Sequence, residues 1–173
     1  MVGEVGKSRG LRCVRSTGAG YLLAFYDPQS AEMAAIRAVE AVFELLLRTL
    51  MRNQEVSEER ALNLRCAVHL GEVDVVPNDR EGPHISMAFR IEEITRASLP
   101  AALNPIPPEQ FPLQNYVLCS EEVAGILSRR TKRWEVASIG LLKLKGFPGW
   151  REVFLVLPEP GDAKLDSGHG LHH

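Results

Sequence analysis

The residues whose types could do chemistry lie at a tight turn and on a later, helix-like segment. The turn Gly18-Ala19-Gly20 separates two apolar, strand-like runs and offers at its centre only the methyl group of Ala19. Mg²⁺ requires oxygen ligands, so this methyl group cannot hold it. Further along, Arg90 carries a planar guanidinium that suits phosphate oxygens, and Ser86 carries a hydroxyl that forms hydrogen bonds. The pattern offers positive charge and hydrogen bonds, but no metal ligand at the turn.

Length and composition indicate one ordinary globular domain. The chain has 173 residues, of which 45% are hydrophobic and 24% are charged, and a domain of this size buries a sizeable core. The net charge of −2 gives no support for a nucleic-acid partner or an anionic membrane surface. No apolar run is long enough to span a membrane, and the first residues lack the apolar core of a signal peptide.

The cysteines indicate free thiols. Cys13, Cys66 and Cys119 each lie within an apolar, strand-like run, so we expect buried reduced side chains and no disulfide framework. No Cys-x-x-Cys pair is present, so a zinc site is not expected. Reduced thiols favour a cytoplasmic location. The histidines at the end of the chain resemble part of an expression tag and are excluded from functional reasoning.

Strand and helix patterns alternate in the first half of the chain. Residues 11–15 and 21–26 resemble two β-strands, which the glycine turn joins into a hairpin. Asp27 and Pro28 suit the start of a helix over residues 28–53. The helix presents one apolar stripe, made by Ile36, Val39, Phe43, Leu46 and Leu50.

The second half predicts further strands and helices. Residues 63–70 form a predicted strand that turns at Gly71 and pairs with residues 72–76 as a hairpin, followed by a polar loop over 77–83. The remaining predicted elements are a helix over 85–97, a proline-rich loop over 99–112, a strand over 116–119, a helix over 120–130, and paired strands over 141–145 and 152–157.

This interleaving predicts an α+β fold, with helices on one face of a mainly antiparallel sheet. We expect one domain over residues 11–158. A flexible segment over residues 1–10 and a disordered tail over residues 159–173 should flank it.

Four segments, in the same order, resemble the class III adenylate/guanylate cyclase catalytic domains, or cyclase homology domains. They are the turn at residues 15–20, the strand ending in His-x-Gly-Glu-Val at 64–73, the helix start at 82–91, and the strand and helix at 117–123 that precede residues 144–147. The resemblance implies a ferredoxin-like core.

The resemblance also implies a reaction, metal ions and a partner. The family converts ATP or GTP into a cyclic nucleotide and pyrophosphate, in a site between two catalytic domains, with two metal ions held by two aspartates. Ala19 stands at the position of one aspartate. Nothing in residues 1–10 resembles the strand that carries the other, so both a truncated start and a natural loss stay open. Mg²⁺ or Mn²⁺ is therefore expected only if a partner domain, in a homodimer or heterodimer, supplies the aspartates.

The nucleotide-binding half of the family's site is partly kept. Arg15 stands where many members have a purine-contacting lysine, and Asp79 stands at the position of its acidic partner in base recognition. Gly18 and Gly20 form the turn and are expected to lie beside the nucleotide. The resemblance thus assigns these four residues to purine nucleotide binding.

The candidate catalytic residues lie on the third resembling segment. Arg90 matches the family's phosphate-binding arginine, while Ser86 replaces an asparagine with a shorter hydroxyl group. Phe147 lies near the place of a phosphate-contacting lysine and offers no charge.

The sequence leaves an ordinary structural role open for each of these residues. Arg15 suits a solvated strand end, Asp79 a turn, Arg90 a surface ion pair and Ser86 an exposed helix position. Structural or exposed positions also suit His69, His84 and Glu72.

Three functions are compatible with these patterns. The favoured one is a degenerate cyclase homology domain in cyclic-nucleotide signalling, inactive alone and acting as a dimerisation or purine-nucleotide-binding module. The alternative is the metal-free half of a heterodimeric cyclase, contributing base and phosphate contacts. A full cyclase without its N-terminal strand is the third. The residues do not decide between ATP and GTP.

Overall fold

The computed structural model describes residues 1–99 and 105–159. Its helices and strands are α1 (Val2–Lys7), β1 (Leu11–Ser16), β2 (Tyr21–Phe25), α2 (Ala31–Asn53), β3 (Arg65–Val68), β4 (Asp74–Val76), β5 (Asp79–Glu81), α3 (Pro83–Glu92), β6 (Tyr116–Ser120), α4 (Glu121–Arg130), β7 (Trp134–Leu142) and β8 (Arg151–Pro158). Short 3-10 turns lie at Glu58–Arg60, Arg96–Ser98 and Pro108–Gln110.

The strands form one four-stranded sheet and two separate hairpins. The large sheet has the order β3-β6-β8-β7, with β3 parallel to β6 and the other pairs antiparallel. The hairpins are β1–β2 and β4–β5. The predicted α+β class, with a mainly antiparallel sheet, is therefore confirmed.

The predicted hairpin between residues 63–70 and 72–76 is wrong. Strand β6 is buried at all five positions and accepts β3 on one side and β8 on the other. Its apolar side chains give β3 more burial than the exposed residues of β4 could provide. Strand β4 pairs instead with β5, which lies inside the region predicted to be a loop, residues 77–83.

Helix α2 packs on the sheet as predicted, with small differences at its ends. Ser30 caps the helix by accepting a hydrogen bond from the Met33 amide (3.1 Å), so the helix begins after the predicted position 28. Asp27 caps the preceding turn instead, accepting from the amides of Gln29 and Ser30. Leu50, predicted in the buried stripe, is 45% exposed.

Helices cover both faces of the large sheet, whereas one face was predicted. Helices α2 and α4 pack on the face that includes Val117 and Cys119 of β6. Helix α3 and the buried ring of Phe111 pack on the opposite face, against Leu118. Neighbouring residues of a strand point to opposite faces, so a strand as apolar as β6 can contribute to both clusters.

Residues 1–10, predicted to be a flexible segment, contain helix α1. Val5 is 1% exposed and packs against Ala41 and Leu45 of α2. Residues 100–104 of the predicted proline-rich loop, and residues 160–173 of the predicted tail, lie outside the described residues.

Other predicted boundaries were partly wrong. Helix α3 occupies residues 83–92 rather than 85–97, with Pro83 in its first turn. Strand β7 begins at Trp134, well before the predicted residue 141. The predicted strands at 116–119 and 152–157 and the helix at 120–130 are confirmed.

The three cysteines are free, as predicted. Within the described ranges, no helix is both long enough and apolar enough to cross a membrane.

Candidate functional site

The structure brings Arg15 and Asp79 together. A guanidinium nitrogen of Arg15, on β1, lies 2.6 Å from Oδ2 of Asp79, the first residue of β5. The Arg80 amide donates to Oδ1 of Asp79 at 2.7 Å. This amide contact, joined by the Arg15 guanidinium, lowers the pKa of Asp79 below its usual value. Asp79 is therefore an ionised carboxylate beside a fixed cation.

One turn and one sulfur contact place this pair. Asn78 adopts a left-handed conformation (φ 59°) between β4 and β5 and so turns the chain into Asp79. Its carbonyl accepts a sulfur contact from Cys13 on β1 (3.7 Å), which ties the two hairpins together. The sequence identified both members of the pair, but it placed Asp79 in a loop rather than at the start of a strand.

The pair presents a donor and an acceptor side by side at a half-exposed surface. The side chains are 34% exposed for Arg15 and 25% for Asp79. Arg15 keeps further N–H donors, and each carboxylate oxygen of Asp79 keeps a second lone pair. The Watson–Crick edges of adenine and guanine both carry an acceptor next to a donor, so the pair complements either purine.

Gly18, Ala19 and Gly20 form the exposed end of the first hairpin. The Thr17 amide donates to the Gly20 carbonyl at 2.9 Å, which closes the turn. Gly18 has a φ of 91°, in the left-handed region that favours glycine. The Gly18 amide also donates to Oγ of Ser16 at 3.4 Å, a contact within the hairpin end. These contacts are local and do not assign either glycine a role in nucleotide binding.

The two-metal arrangement of the resembling family does not fit this hairpin. The Ala19 side chain supplies no oxygen, and within residues 1–99 and 105–159 no group of three or more His, Cys, Asp or Glu side chains is arranged to hold a metal ion. Asp27, after β2, bonds to backbone amides and to Arg37 at 2.8 Å. That carboxylate is committed to the local structure.

Ser86 and Arg90 lie one turn apart on α3. Ser86 is exposed, and Arg90 donates to both carboxylate oxygens of Glu93 at 3.0 and 3.2 Å. Helix α3 follows β5 through Gly82, so both residues lie on the element next to Asp79. The structure nevertheless shows no direct contact between Arg90 and the Arg15–Asp79 pair.

Arg90 contributes to a basic groove that the sequence reasoning missed. The groove is a surface cavity of about 270 Å³ lined by Arg90, Glu93, Ser98, Lys143 and Lys145 and by three apolar residues. Lys143 and Lys145 point outward because Leu142 and Leu144, which alternate with them, are buried. That alternation in residues 141–145 was the available signal. Phe147, which the resemblance puts near the place of a phosphate-contacting lysine, packs against the core.

Lys143 is fixed by an aromatic contact. Its ammonium lies 5.0 Å from the centre of the Trp150 ring, a cation–π arrangement. The groove has three cations and one carboxylate among its named lining residues, so its charge suits a polyanion.

Two histidines form a hydrogen-bonded chain beside α3. Nε2 of His69 lies 2.8 Å from Nδ1 of His84, and Nδ1 of His69 lies 2.8 Å from Oγ of Ser120. The His69 side chain is 4% exposed, and burial lowers its pKa. The sequence predicted structural or exposed roles for these residues, and the structure gives His69 a buried structural one.

The overall architecture matches solved nucleotide cyclase domains. No family model matches the chain, and no curated protein matches its sequence. An adenylate/guanylate cyclase/hydrolase from Silicibacter pomeroyi superposes with a TM-score of 0.67 at 18% identity, over 92% of this chain and 79% of that one. The guanylyl cyclase Cya2 gives 0.65 at 20% identity, over 92% and 77%. The adenylyl cyclase CyaB from P. aeruginosa gives 0.63 at 17% identity, over 90% and 76%.

The chain therefore has the fold of the class III adenylate/guanylate cyclase catalytic domains. At these identities the likeness establishes the fold, and activity has to be argued from the site.

Proposed function

We propose that this protein is a degenerate cyclase homology domain that binds a purine nucleotide and dimerises, but does not cyclise the nucleotide by itself. The observation that carries the proposal is the Arg15–Asp79 pair, whose side chains lie 2.6 Å apart. The pair offers a donor and an acceptor to a purine edge. The resemblance placed both residues in base recognition, and their proximity supports that role. The three free thiols suit the cytoplasmic setting that we propose with it.

The proposed lack of activity rests on Ala19. Two-metal catalysis needs carboxylates that hold both ions, and a methyl group provides none. We propose that Mg²⁺ or Mn²⁺ binds only when a partner domain supplies the carboxylates. In this arrangement Arg15 and Asp79 orient the base, Ser86 offers a hydroxyl to the nucleotide, and Arg90 neutralises phosphate charge.

The basic groove supports a role in phosphate binding. Lys143 and Lys145 lie in the same groove as Arg90 and supply positive charge that Phe147 lacks. A polyphosphate is the ligand class that best matches three cations arranged around a groove of this size.

Nucleotide binding is tested by calorimetry on the full chain, with ATP and GTP, each with and without Mn²⁺. Arg15→Gln should weaken the binding of the preferred nucleotide about tenfold or more, because it removes charged hydrogen bonds. Arg12→Gln is the matched control, since Arg12 is an exposed arginine on the same strand, three residues before Arg15. Equal loss in both variants, or no binding by the unmodified chain, would reject the nucleotide role.

Lack of activity is tested separately. The purified chain, incubated with ATP or GTP and Mn²⁺, should form no cyclic nucleotide. Clear product formation would reject the degenerate-domain proposal, even if the nucleotide binds as expected.

The alternative is that the chain is the metal-free half of a heterodimeric cyclase. It is favoured by a division among the site residues: Arg15, Asp79 and Arg90 are present, whereas Ala19 replaces a metal ligand. Mixing the chain with an intact cyclase domain should then raise turnover, and Arg90→Ala should abolish the gain. If no cognate domain shows a gain in turnover, the heterodimer alternative is rejected and the proposal of a binding module remains.

A further inference from the structure

The side chain of Ser120 is diverted from its usual role. Ser120 occupies the N-cap position of α4, where a serine hydroxyl ordinarily accepts a hydrogen bond from the first turn of the helix. Here its side chain makes no such bond, and Oγ lies instead 2.8 Å from Nδ1 of His69. The chain Ser120–His69–His84 thus links the end of β6, the end of β3 and the first turn of α3.

The geometry around His84 is closely packed. A Cβ atom built on Gly71 would lie 2.1 to 2.5 Å from three atoms of the His84 ring, so the ring rests directly on that glycine backbone. The ring centres of His69 and His84 are 5.0 Å apart. Because His84 is part of α3, this contact fixes the first turn of the helix that carries Ser86 and Arg90.

The hydrogen bond between the rings limits how many protons the pair can hold. When both rings are neutral, one nitrogen donates and the other accepts. One added proton also fits, because one ring can then carry protons on both nitrogens and donate while the other ring accepts. With a second proton, two N–H groups face each other at a separation of 2.8 Å, and no acceptor remains between them.

Charged groups near His69 come from α4 and β8. Oε2 of Glu122 on α4 lies 4.0 Å from Nδ1 of His69. A small cavity of about 30 Å³ beside the ring is also lined by Glu121 and by Arg151 and Glu152 of β8. Burial lowers the pKa of His69 most strongly, Glu122 raises it, and His84 and Arg151 lower it further.

We propose that His69 and His84 are positioning residues for the nucleotide site. Their hydrogen bond holds the first turn of α3 at neutral pH, and a second proton on the pair breaks the bond and releases that turn. This proposal rests on the proposed function for its effect on ligand, since α3 contributes Ser86 and Arg90. It makes nucleotide binding sensitive to pH through a contact that does not touch the nucleotide.

The first experiment measures GTP and ATP binding by calorimetry between about pH 4.5 and pH 7.5, because the lowered pKa of His69 places the second protonation below the ordinary histidine range. On acidification, the nucleotide affinity of the unmodified chain should fall about three- to tenfold more than the affinity of the variants falls. His84→Asn should remove this extra loss, because an asparagine amide occupies the Nδ1 position and donates to His69 without titrating. Its affinity at the upper pH should stay within about twofold of the unmodified chain.

His84→Ala is the contrasting variant. It removes the bond at every pH, so its affinity should be low and its pH dependence should match that of His84→Asn. If His84 had only a structural role, both variants would be less stable but would keep the pH dependence of nucleotide binding that the unmodified chain shows. That result would overturn the proposal. The nucleotide phosphates and the three terminal histidines titrate in every sample and so do not affect the comparison.

The second experiment does not need a ligand. Amide hydrogen exchange of residues 85–87, at the start of α3, should accelerate on acidification in the unmodified chain relative to His84→Asn, after correction for intrinsic exchange rates. If no nucleotide binds at any pH, the proposed function fails but this readout still decides the positioning role. If nucleotide binds and exchange at α3 shows no difference between the two proteins, only the positioning role fails.

Discussion

The carboxylate of Glu93 accepts two hydrogen bonds from Arg90, at 3.0 and 3.2 Å, from a position three residues further along α3. The ion pair occupies the guanidinium that the proposed function assigns to phosphate. Both side chains line the basic groove, so an arriving polyanion and Glu93 compete for the same cation.

Removing the Glu93 charge should therefore strengthen anion binding. Glu93→Gln should raise the affinity for inorganic tripolyphosphate about two- to fivefold, since an exposed ion pair of this kind is weak. Calorimetry at low ionic strength measures the effect. Glu135→Gln, at the exposed opposite end of β7, removes the same charge away from the groove. If the two variants gain equally, the effect comes from net charge and the groove is not the binding site.

Restoring a carboxylate at the hairpin turn should not restore catalysis. Ala19→Asp should fold normally, because position 19 is exposed. It should still form no cyclic nucleotide with Mn²⁺, because one carboxylate does not hold two ions. A product assay with ATP and GTP measures this. Robust activity of the purified variant would show that a single substitution is all that separates this chain from an active cyclase.

Two neighbouring positions of the α2 stripe should differ sharply in their effect on stability. Leu46 is 6% exposed in the core, whereas Leu50, one turn later, is 45% exposed. Leu46→Ala should lower the free energy of unfolding by about 2–5 kcal/mol, and Leu50→Ala by less than about 0.5 kcal/mol. Urea denaturation measures both. A large loss in Leu50→Ala would mean that another surface covers this part of the helix in solution.

Gly71 should tolerate no side chain, because the His84 ring occupies the space. Gly71→Ala should lower the free energy of unfolding by about 1–3 kcal/mol through overpacking. It should also separate the two histidine rings, which ¹⁵N chemical shifts of the imidazoles report. Gly3→Ala in α1 is the control, since nothing lies within 4 Å of the added atom. Unchanged imidazole shifts in Gly71→Ala would contradict the packing described for His84.

Acid should destabilise the fold through His69. Burial lowers the pKa of His69 in the folded chain below its ordinary value of about 6.5. The unfolded chain then binds the proton more readily, so stability is fully present above about pH 6.5 and is lost as the pH falls from there to the lower folded-state pKa. Thermal unfolding of the unmodified chain and of His69→Gln across this pH range tests whether stability falls with acidification as expected. If the stability of His69→Gln changes with pH as steeply as that of the unmodified chain, other groups cause the acid sensitivity.

Local patterns were enough to predict much of this fold. The β1–β2 hairpin is joined by a glycine turn, and α2 has a regular apolar stripe, so both are encoded by neighbouring residues. The parallel pairing of β3 with β6 joins segments that are far apart in the chain and leaves no turn signal. The short strand β5 has only polar residues, and pairing with β4 rather than its own pattern makes it a strand.

The candidate site divides in the same way. The sequence by itself determined the residue types: a cation at Arg15, a carboxylate at Asp79, a guanidinium at Arg90 and a methyl group at Ala19. The tertiary structure decided which of them meet, because a 2.6 Å contact between β1 and β5 depends on how two hairpins pack. It also decided that Arg90 shares a groove with Lys143 and Lys145, and that His69 is buried against His84. Side-chain chemistry is fixed by the order of the residues, but proximity between distant residues arises only when the packed core brings their backbones together.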